Sequence, residues 1–501
     1  MTPLDRRHFL LDSLAKPLAC ALAVLALAPA CARRKPASQG DSKTTATGAS
    51  VNSQAASSGR VKIVSSLPRT GSANAQTTTM VNGIKLAIDE VGGKVGGFEV
   101  AYEDWDDASA KKGDWDPEVE AANADKAVKD ADVMFYIGTY NSGAAKISMP
   151  VLNKASVVMI SPANSYTGLT KPGMGEPSEP GVYRPTGKIN YFRVVPADDI
   201  QGRVAVEWMQ QMGAKTAYIL DDRGLYGKGI ADVFEQTAKA KGLEILGREG
   251  IDPKAQEYRS LMTKIKAKNP DFVYFGGTTQ SNAGQIAKDI VAVGLAAKVM
   301  LPDGCFEKAF IEAAGAPNAN GRAYVTFGGV PPEQLTGKGA EFVKKYRERF
   351  KAEPEGYAVY GYVAAKSALD VLAQVGKKDR ESLRLAMANY GQKAGALGTW
   401  HFDANGDTSM TTMSGNIVDN GEFKFATKLG GTAGEAADAA APPSAGSSGA
   451  AAEQGVGFGP SARLYFDGRG KNPADVAAWQ CVPAGEPAPA AVPASATPTA
   501  P

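Results

Sequence analysis

Ser142, in the string YNSG at 140–143, carries a hydroxyl that could act as a nucleophile, yet the sequence supplies it with almost no base. The chain holds 2 histidines, His8 and His401. His8 falls in an apparent leader, so a multi-histidine metal site is out of reach and a Ser–His pair would rest on His401 alone. His401 lies in GTWHFDANGD, a strand running into a turn, and reads as structural. Ser142 also lacks the strained G-x-S-x-G elbow of hydrolases. No Gly-rich loop closing in Lys-Ser/Thr is present to cradle a nucleotide. Asp403 to Asp407 starts like a calcium loop but lacks the later ligands and terminal glutamate; Asn405-Gly406 reads there as a tight hairpin turn. Glu103, Asp104, Asp106 and Asp107 miss that spacing too, and read as a strand end or a solvated loop. An exported chain would permit a Cys305–Cys481 disulfide, although low-complexity sequence separates the two. The expected chemistry is noncovalent binding, with no enzymatic step, no metal and no cofactor.

Backbone amides and small hydroxyls must then do the binding, and the sequence repeats them at one kind of junction. VMFYI at 133–137 runs straight into GTYNSG. SVVMI at 156–160 meets SPANS, TAYIL at 216–220 meets DDRG, and FVYFGG at 272–277 meets TTQS. Short continuous apolar runs bounded by Gly, Ser and Asn read as buried parallel strands. Open parallel sheets hold ligands beyond their strand carboxyl ends, where N–H groups of the next helix point outward. Taken alone, Ser142 could equally be a helix N-cap.

The elements that position these turns follow in order. Strand VKIVSS (61–66), a helix bearing Ile84, Ile88 and Val91 on one face, strand FEVAYED (98–104) and a helix near Glu118–Lys129 precede the strand at 133. The Gly/Pro-rich segment 171–190 reads as an inserted loop. A fresh unit opens at Tyr191 to Val195, and its helix carries Ala205, Trp208, Met209 and Met212 as ordinary core. Strands at 216–221, 244–247 and 271–276 alternate with helices near 229–241 and 258–267; a helical stretch at 355–375 and strands at 398–402 and 415–425 finish the array. Two successive βαβ arrays predict an α/β fold of two doubly wound parallel-sheet lobes joined by hinge strands. The first lobe is expected over 61–196, completed by about 327–400. The second is expected over 197–326, completed by about 401–429.

The ends carry other signals. Arg6-Arg7 followed by the apolar segment Pro17 to Ala30, too short to span a membrane, reads as an export signal over 1–31. DRRHFL resembles a twin-arginine tag, and LALAPAC places Cys31 where a bacterial lipoprotein is cleaved and acylated. Residues 32–60 read as a flexible tether reaching roughly 30 Å, and 430–501 as a low-complexity extension around the patch ARLYFDGRGKNPADVAAWQC. A net charge of +2 gives no argument for nucleic acid. No apolar run after residue 60 reaches membrane-spanning length, so membrane attachment is expected through a lipid anchor.

The strings NGIKLAIDEVGG, YIGTYNSGAA, VVMISPANSYTGLT, YFRVVPADDIQG, LDDRGLYGKGIADVFEQTAKAKG, PDFVYFGGTTQSNAGQIAKD and MLPDG, in that order over about 61–428, resemble the substrate-binding proteins of branched-chain amino-acid ABC transporters. That family is the type I periplasmic binding fold, a two-lobed monomeric clamp that presents an amino acid such as leucine, isoleucine or valine to an ABC permease. The resemblance implies roles for particular residues. Ser142 falls where a hydroxyl contacts the ligand carboxylate. Ala163 and Ser165, with Asn164 between them, fall at the same amino-acid head. Asp303 falls at the partner of the ligand ammonium, and Asp198 and Tyr226 at further cleft positions. Together they would form a zwitterion site, with neutral donors at a helix N-terminus for the carboxylate and a carboxylate for the ammonium.

The sequence also departs from the family. Thr278-Thr279 replaces the tyrosine expected after Gly276-Gly277, Asp303 stands where Glu is common, the N-lobe cysteine pair is missing, and 171–190 is inserted near the expected cleft mouth. These departures leave an amide- or urea-like solute, or a non-transport sensor, as alternatives to an amino-acid carrier, with an amide hydrolase on the same fold behind them.

Overall fold

The computed structural model describes residues 59–431, together with the backbone of Arg463–Phe466 and Trp479–Val482, which pair antiparallel. The export signal, Cys31, the tether to residue 58 and the remainder of the C-terminal extension lie outside the described residues. The first sheet is built on β1 (Arg60–Leu67), flanked by β2 (Lys94–Val95) and β3 (Phe98–Asp106) on one side. On the other side lie β4 (Val133–Gly138), β5 (Val158–Ser161) and β6 (Tyr191–Arg193), giving the order β2-β3-β1-β4-β5-β6. Every pairing is parallel except the short β2–β3 hairpin. β4 and β5 are buried at every residue, which is why they read as unbroken apolar runs rather than alternating ones. Helices α1 (Asn74–Glu90), α2 (Pro117–Lys129) and α3 (Ser142–Lys154) alternate with these strands.

One boundary moves. The unit expected to open at Tyr191 instead closes the first sheet, because β6 pairs in parallel with β5 and the 171–190 insertion is the crossover between them. The second array opens at α4 (Asp198–Gln211). Its strands are β7 (Thr216–Asp221), β8 (Glu244–Gly250), β9 (Phe272–Gly276), β10 (Lys298–Leu301), β11 (Ala323–Gly328), β12 (Thr412–Asp419) and β13 (Glu422–Gly430). Their order is β8-β7-β9-β10-β11-β12-β13. The sheet is parallel from β8 to β11 and ends in an antiparallel edge. The single strand expected at 415–425 is a hairpin, turned by Asn420 and Gly421, both at positive φ as a tight Asn-Gly turn requires. Helices α5 (Leu225–Lys241), α6 (Arg259–Lys266), α7 (Ala283–Ala292), α8 (Lys308–Ala314) and the short α9 (Ala316–Ala319) belong to this lobe.

The chain passes between the sheets after β6, after β11 and before β12. Between the last two passages, α10 (Lys338–Phe350), α11 (Ala358–Val375) and α12 (Arg380–Met387) return to the first sheet. α11 lies at backbone contact with α1: a Cβ on Gly83 would sit 2.1 Å from the Ala358 carbonyl, and one on Gly361 2.2 Å from that of Met80. Arg380, from α12, donates to the carbonyls of Asp130 at 2.7 Å and Val133 at 3.0 Å.

The turn expected at Asn405-Gly406 forms, with Gly406 at φ +89 and the Asp403 carboxylate accepting from the Asn405 and Asp407 N–H groups. Its acid is used in the core. Asp407 pairs with Arg193 Nε at 2.7 Å, and Arg193 is 0% exposed. Burial works to raise the Asp407 carboxyl, but Arg193 overrides it and holds it below the usual carboxylate range. His401 is exposed at the end of the strand Gly398–His401. Of the two readings for the 103–107 acids, Asp107 takes the strand end, directly after β3. Far from a solvated loop, it is fully buried with neither carboxylate oxygen hydrogen-bonded, and burial followed by the charge of Glu120 pushes its carboxyl well up. Among the described residues, no helix is long and apolar enough to cross a membrane.

Candidate functional site

The strand-end turns of both sheets face one another. β4 ends at Gly138, where a Cβ would approach the Ser66 carbonyl to 2.8 Å, and the chain turns through Thr139 to Asn141 into α3. Ser142 is the first helical residue rather than the N-cap, a place held by the extended backbone of Asn141. Its Oγ accepts the Tyr166 N–H at 3.4 Å. At the end of β5, the Ser161 hydroxyl accepts from the N–H groups of Ala163 (3.2 Å) and Asn164 (2.8 Å), which folds SPANS into a compact turn.

Asn164 fastens the two turns together. Its amide donates to the Tyr140 carbonyl at 2.9 Å, while its carbonyl accepts from the Thr139 N–H at 3.3 Å and the Tyr191 hydroxyl at 3.2 Å. Ser165 ties the turn to the second lobe through its carbonyl, which accepts the Asp198 N–H at 2.9 Å.

From the second lobe, Asp303 opens the turn after β10, and Tyr226 stands in the first turn of α5. The Tyr226 hydroxyl donates to Asp303 Oδ1 at 2.5 Å. Tyr357, at the N-cap of α11, donates to Oδ2. Burial raises the Asp303 carboxyl, opposed by the hydrogen bonds of Tyr226, Tyr357 and Gln201. Burial likewise pushes the hydroxyls of Tyr226, Tyr357 and Tyr140 well above their ordinary range, so all three remain donors at neutral pH.

A cavity of about 30 Å³ lies between these groups. Tyr140, Asn141, Ser142 and Ala163 form one wall; Tyr226, Thr278, Asp303 and Gly304 form the other; Tyr357 closes the end. The fold thus brings Ser142, Ala163, Tyr226 and Asp303 to one space. Asn164 and Ser165 do not line it and act as braces behind it. Asp198 does not line it either. It is fully buried with both carboxylate oxygens unpartnered, and burial, then the charge of Asp303, pushes its carboxyl well up against the smaller pull of Ser165 and Arg193. No residue of 171–190 lines the cavity; Lys171 instead pairs with Asp199 of α4 at 2.7 Å.

Sequence reasoning missed Tyr140, Asn141, Gly304 and Tyr357. The first three adjoin residues already singled out, and Tyr357 is marked only by the start of the helical stretch at 355–375. Thr278 lines the wall as a small side chain, and aromatic surface is supplied by Tyr140 and Tyr357, packed edge to face at 6.3 Å. Cys305, in the turn that Asp303 opens, is buried and free.

A space of this size admits a water or two but not an amino acid, so a ligand must enter with the lobes apart. Two doubly wound lobes closing neutral donors on one wall against a carboxylate on the other make a ligand-binding clamp. The sequence profile described as periplasmic binding protein matches residues 60–421, and the chain belongs to that family. It is 30% identical over 348 residues to Leu/Ile/Val-binding protein homolog 2 of Brucella abortus (strain 2308), covering 69% of this chain and 86% of that one. It is similar to the leucine binding protein LivK of Thermotoga maritima MSB8 (TM-score 0.65, 25% identity, 74% of this chain and 98% of that one). It also shares its fold with the branched-chain amino acid transporter substrate binding protein LivJ of Streptococcus pneumoniae in complex with isoleucine (TM-score 0.64, 24% identity, 74% and 99% coverage).

Proposed function

We propose that this protein is the exported solute-binding component of an ABC importer, closing its lobes on an amino acid of the leucine, isoleucine or valine type and delivering it to a permease. The observation that carries this reading is the placement of Asp303 across one cavity from Ser142 and Ala163. The Asp303 carboxylate would take the ligand ammonium, and the Ser142 hydroxyl with the N-terminus of α3 its carboxylate. The names of its relatives support the same ligand class. Binding requires no covalent step, and ligand shifts an open–closed equilibrium toward the closed form.

A second reading, an amide-type solute, draws on the polar character of the walls: Thr278 replaces an aromatic, and Tyr140 donates to the buried Gln76. In either reading the chain works as a monomer on the outer side of the membrane, held by a lipid on Cys31 through the 32–60 tether. Mass spectrometry of the membrane fraction tests the anchor; an unmodified N-terminus there removes it. A thermal-shift screen of amino acids and small amides tests the function, since a ligand that binds only the folded state must raise Tm. No hit across the screen would sink the transport reading.

A further inference from the structure

A second and larger cavity, of about 730 Å³, lies between the floor formed by Phe306 and Phe423 and the turn Glu353 to Gly356 that leads into α11. Its size is within the roughly 300–1,000 Å³ of small-molecule sites. The floor is aromatic: Phe306 meets Phe423 and Phe327 with ring centroids 4.8 Å apart in each pair.

The rim is acidic. Among the charged side chains that line it, Arg347 is taken by Glu353 at 2.8 Å and Lys424 by Glu422 at 2.5 Å, so these pairs neutralise themselves. Glu307, Glu312, Glu333 and Glu355 then face Lys308, a surplus of negative charge.

Glu307 shows what the surplus is placed for. It is 2% exposed, and one carboxylate oxygen accepts from Gln280 Nε2 at 2.8 Å while the other is buried without a partner. Glu355 brings a second buried, unpartnered oxygen to the same cavity. Burial, with added repulsion from Glu355 and Glu312, pushes the Glu307 carboxyl up to about 7. Leaving such oxygens unpaired is costly, and a cationic donor would satisfy both. A hard metal ion would want six to eight oxygens. An aromatic floor instead favours an organic cation, whose carbon chain and charge both gain from the rings.

We propose that this groove is a second ligand site, for a small alkyl diammonium compound whose charged ends meet Glu307 and Glu355 and whose chain lies on Phe306 and Phe423. Because the lining comes from both lobes, its occupant also bridges them.

Calorimetric titration of the full chain with 1,4-diaminobutane tests the site, with 1,4-butanediol as the uncharged control. Saturable binding of the diamine alone is expected, weakened at least about tenfold in Glu307→Gln, as loss of a charge-assisted hydrogen bond implies. Glu355→Gln should weaken it as well, and this half-buried position keeps the test decisive if Glu307→Gln fails to fold. Ser142→Ala, on the wall of the inter-lobe cavity but outside the hydrogen bonds of Asp303, should leave diamine binding in place. Absence of binding to the wild type, or equal binding by the two glutamate variants and the wild type, overturns the proposal. Loss of binding in Ser142→Ala with retention in Glu307→Gln would move the diamine to the inter-lobe cavity and overturn it equally, without touching the amino-acid reading.

Discussion

Tyr357 donates its hydroxyl to Asp303 across the lobes: the tyrosine opens a helix packed against α1 of the first lobe through Gly83 and Gly361, and the aspartate follows a strand of the second sheet. With Tyr226 on the other oxygen, both lone-pair faces of the carboxylate are held from opposite sides of the cleft. The bond acts as a latch on the closed form. Tyr357→Phe should populate the open form in the absence of ligand, seen as a larger radius of gyration by small-angle scattering. An unchanged radius would show that closure rests on other contacts.

Asp303→Ala should abolish the ligand-induced rise in Tm. Removing one partner of a buried charge pair costs about 2–5 kcal/mol, or roughly 30-fold or more in Kd. Retention of wild-type affinity would assign the ammonium to another group.

The pH dependence of binding follows from the raised Asp303 carboxyl. An ammonium needs the ionised form, so affinity is full above the raised folded pKa and is lost as pH falls through it. The decline should therefore start above about pH 4, where an unperturbed aspartate is still mostly ionised. In the unliganded protein the sign is opposite for stability: the fold binds the proton more tightly than the unfolded chain, so ionising Asp303 costs stability as pH rises between the two values. Calorimetry from pH 7 down to 4 checks the binding arm, and a flat Kd over that range would rule Asp303 out as the ammonium partner.

Asp407→Asn should destabilise the protein by about 3–5 kcal/mol at neutral pH, because Arg193 would be left buried and uncompensated. The Asp407 carboxyl is depressed, so its contribution is present above about pH 4 and disappears as pH falls through the lower folded value. Denaturant unfolding of both proteins should show the gap at pH 7 narrowing under acid conditions; a gap independent of pH would mean that the ion pair is not its source.

Gly361→Ala should cost about 1–3 kcal/mol, the range for overpacking, since the added carbon meets the Met80 carbonyl and not a side chain that can swing away. Ligand affinity should weaken with it, because α11 carries Tyr357. Thermal unfolding and titration of the same variant read both effects.

Much of this was legible from residues alone. The apolar runs at 133–137, 156–160, 216–220 and 272–277 are buried parallel strands, since a strand covered on both faces must be apolar throughout, and that pattern is local. Ser142, Ala163 and Tyr226, at or just past the polar turns that follow them, line one cavity with Asp303, which follows β10. Less was legible where a residue's role depends on what it faces. Tyr191 to Arg193 reads as the start of an array, and only its hydrogen bonding to β5 makes it the edge of the first sheet. Asn164 sits in the right turn with its side chain directed to backbone groups behind the cavity. Asp107 reads as an acid of a strand end or solvated loop and Asp407 as part of a tight turn, yet both are buried, one without a hydrogen-bond partner and one on a guanidinium 214 residues away.

The sequence by itself determined the two alternating arrays and the strand-end turns, because hydrophobic period and turn chemistry act over a few residues. The tertiary structure decided which atoms share the cleft. Tyr357 reaches Asp303, and Arg193 reaches Asp407, only because the chain crosses between the sheets and returns, and a hydrogen bond between distant residues leaves no periodic trace in either of them.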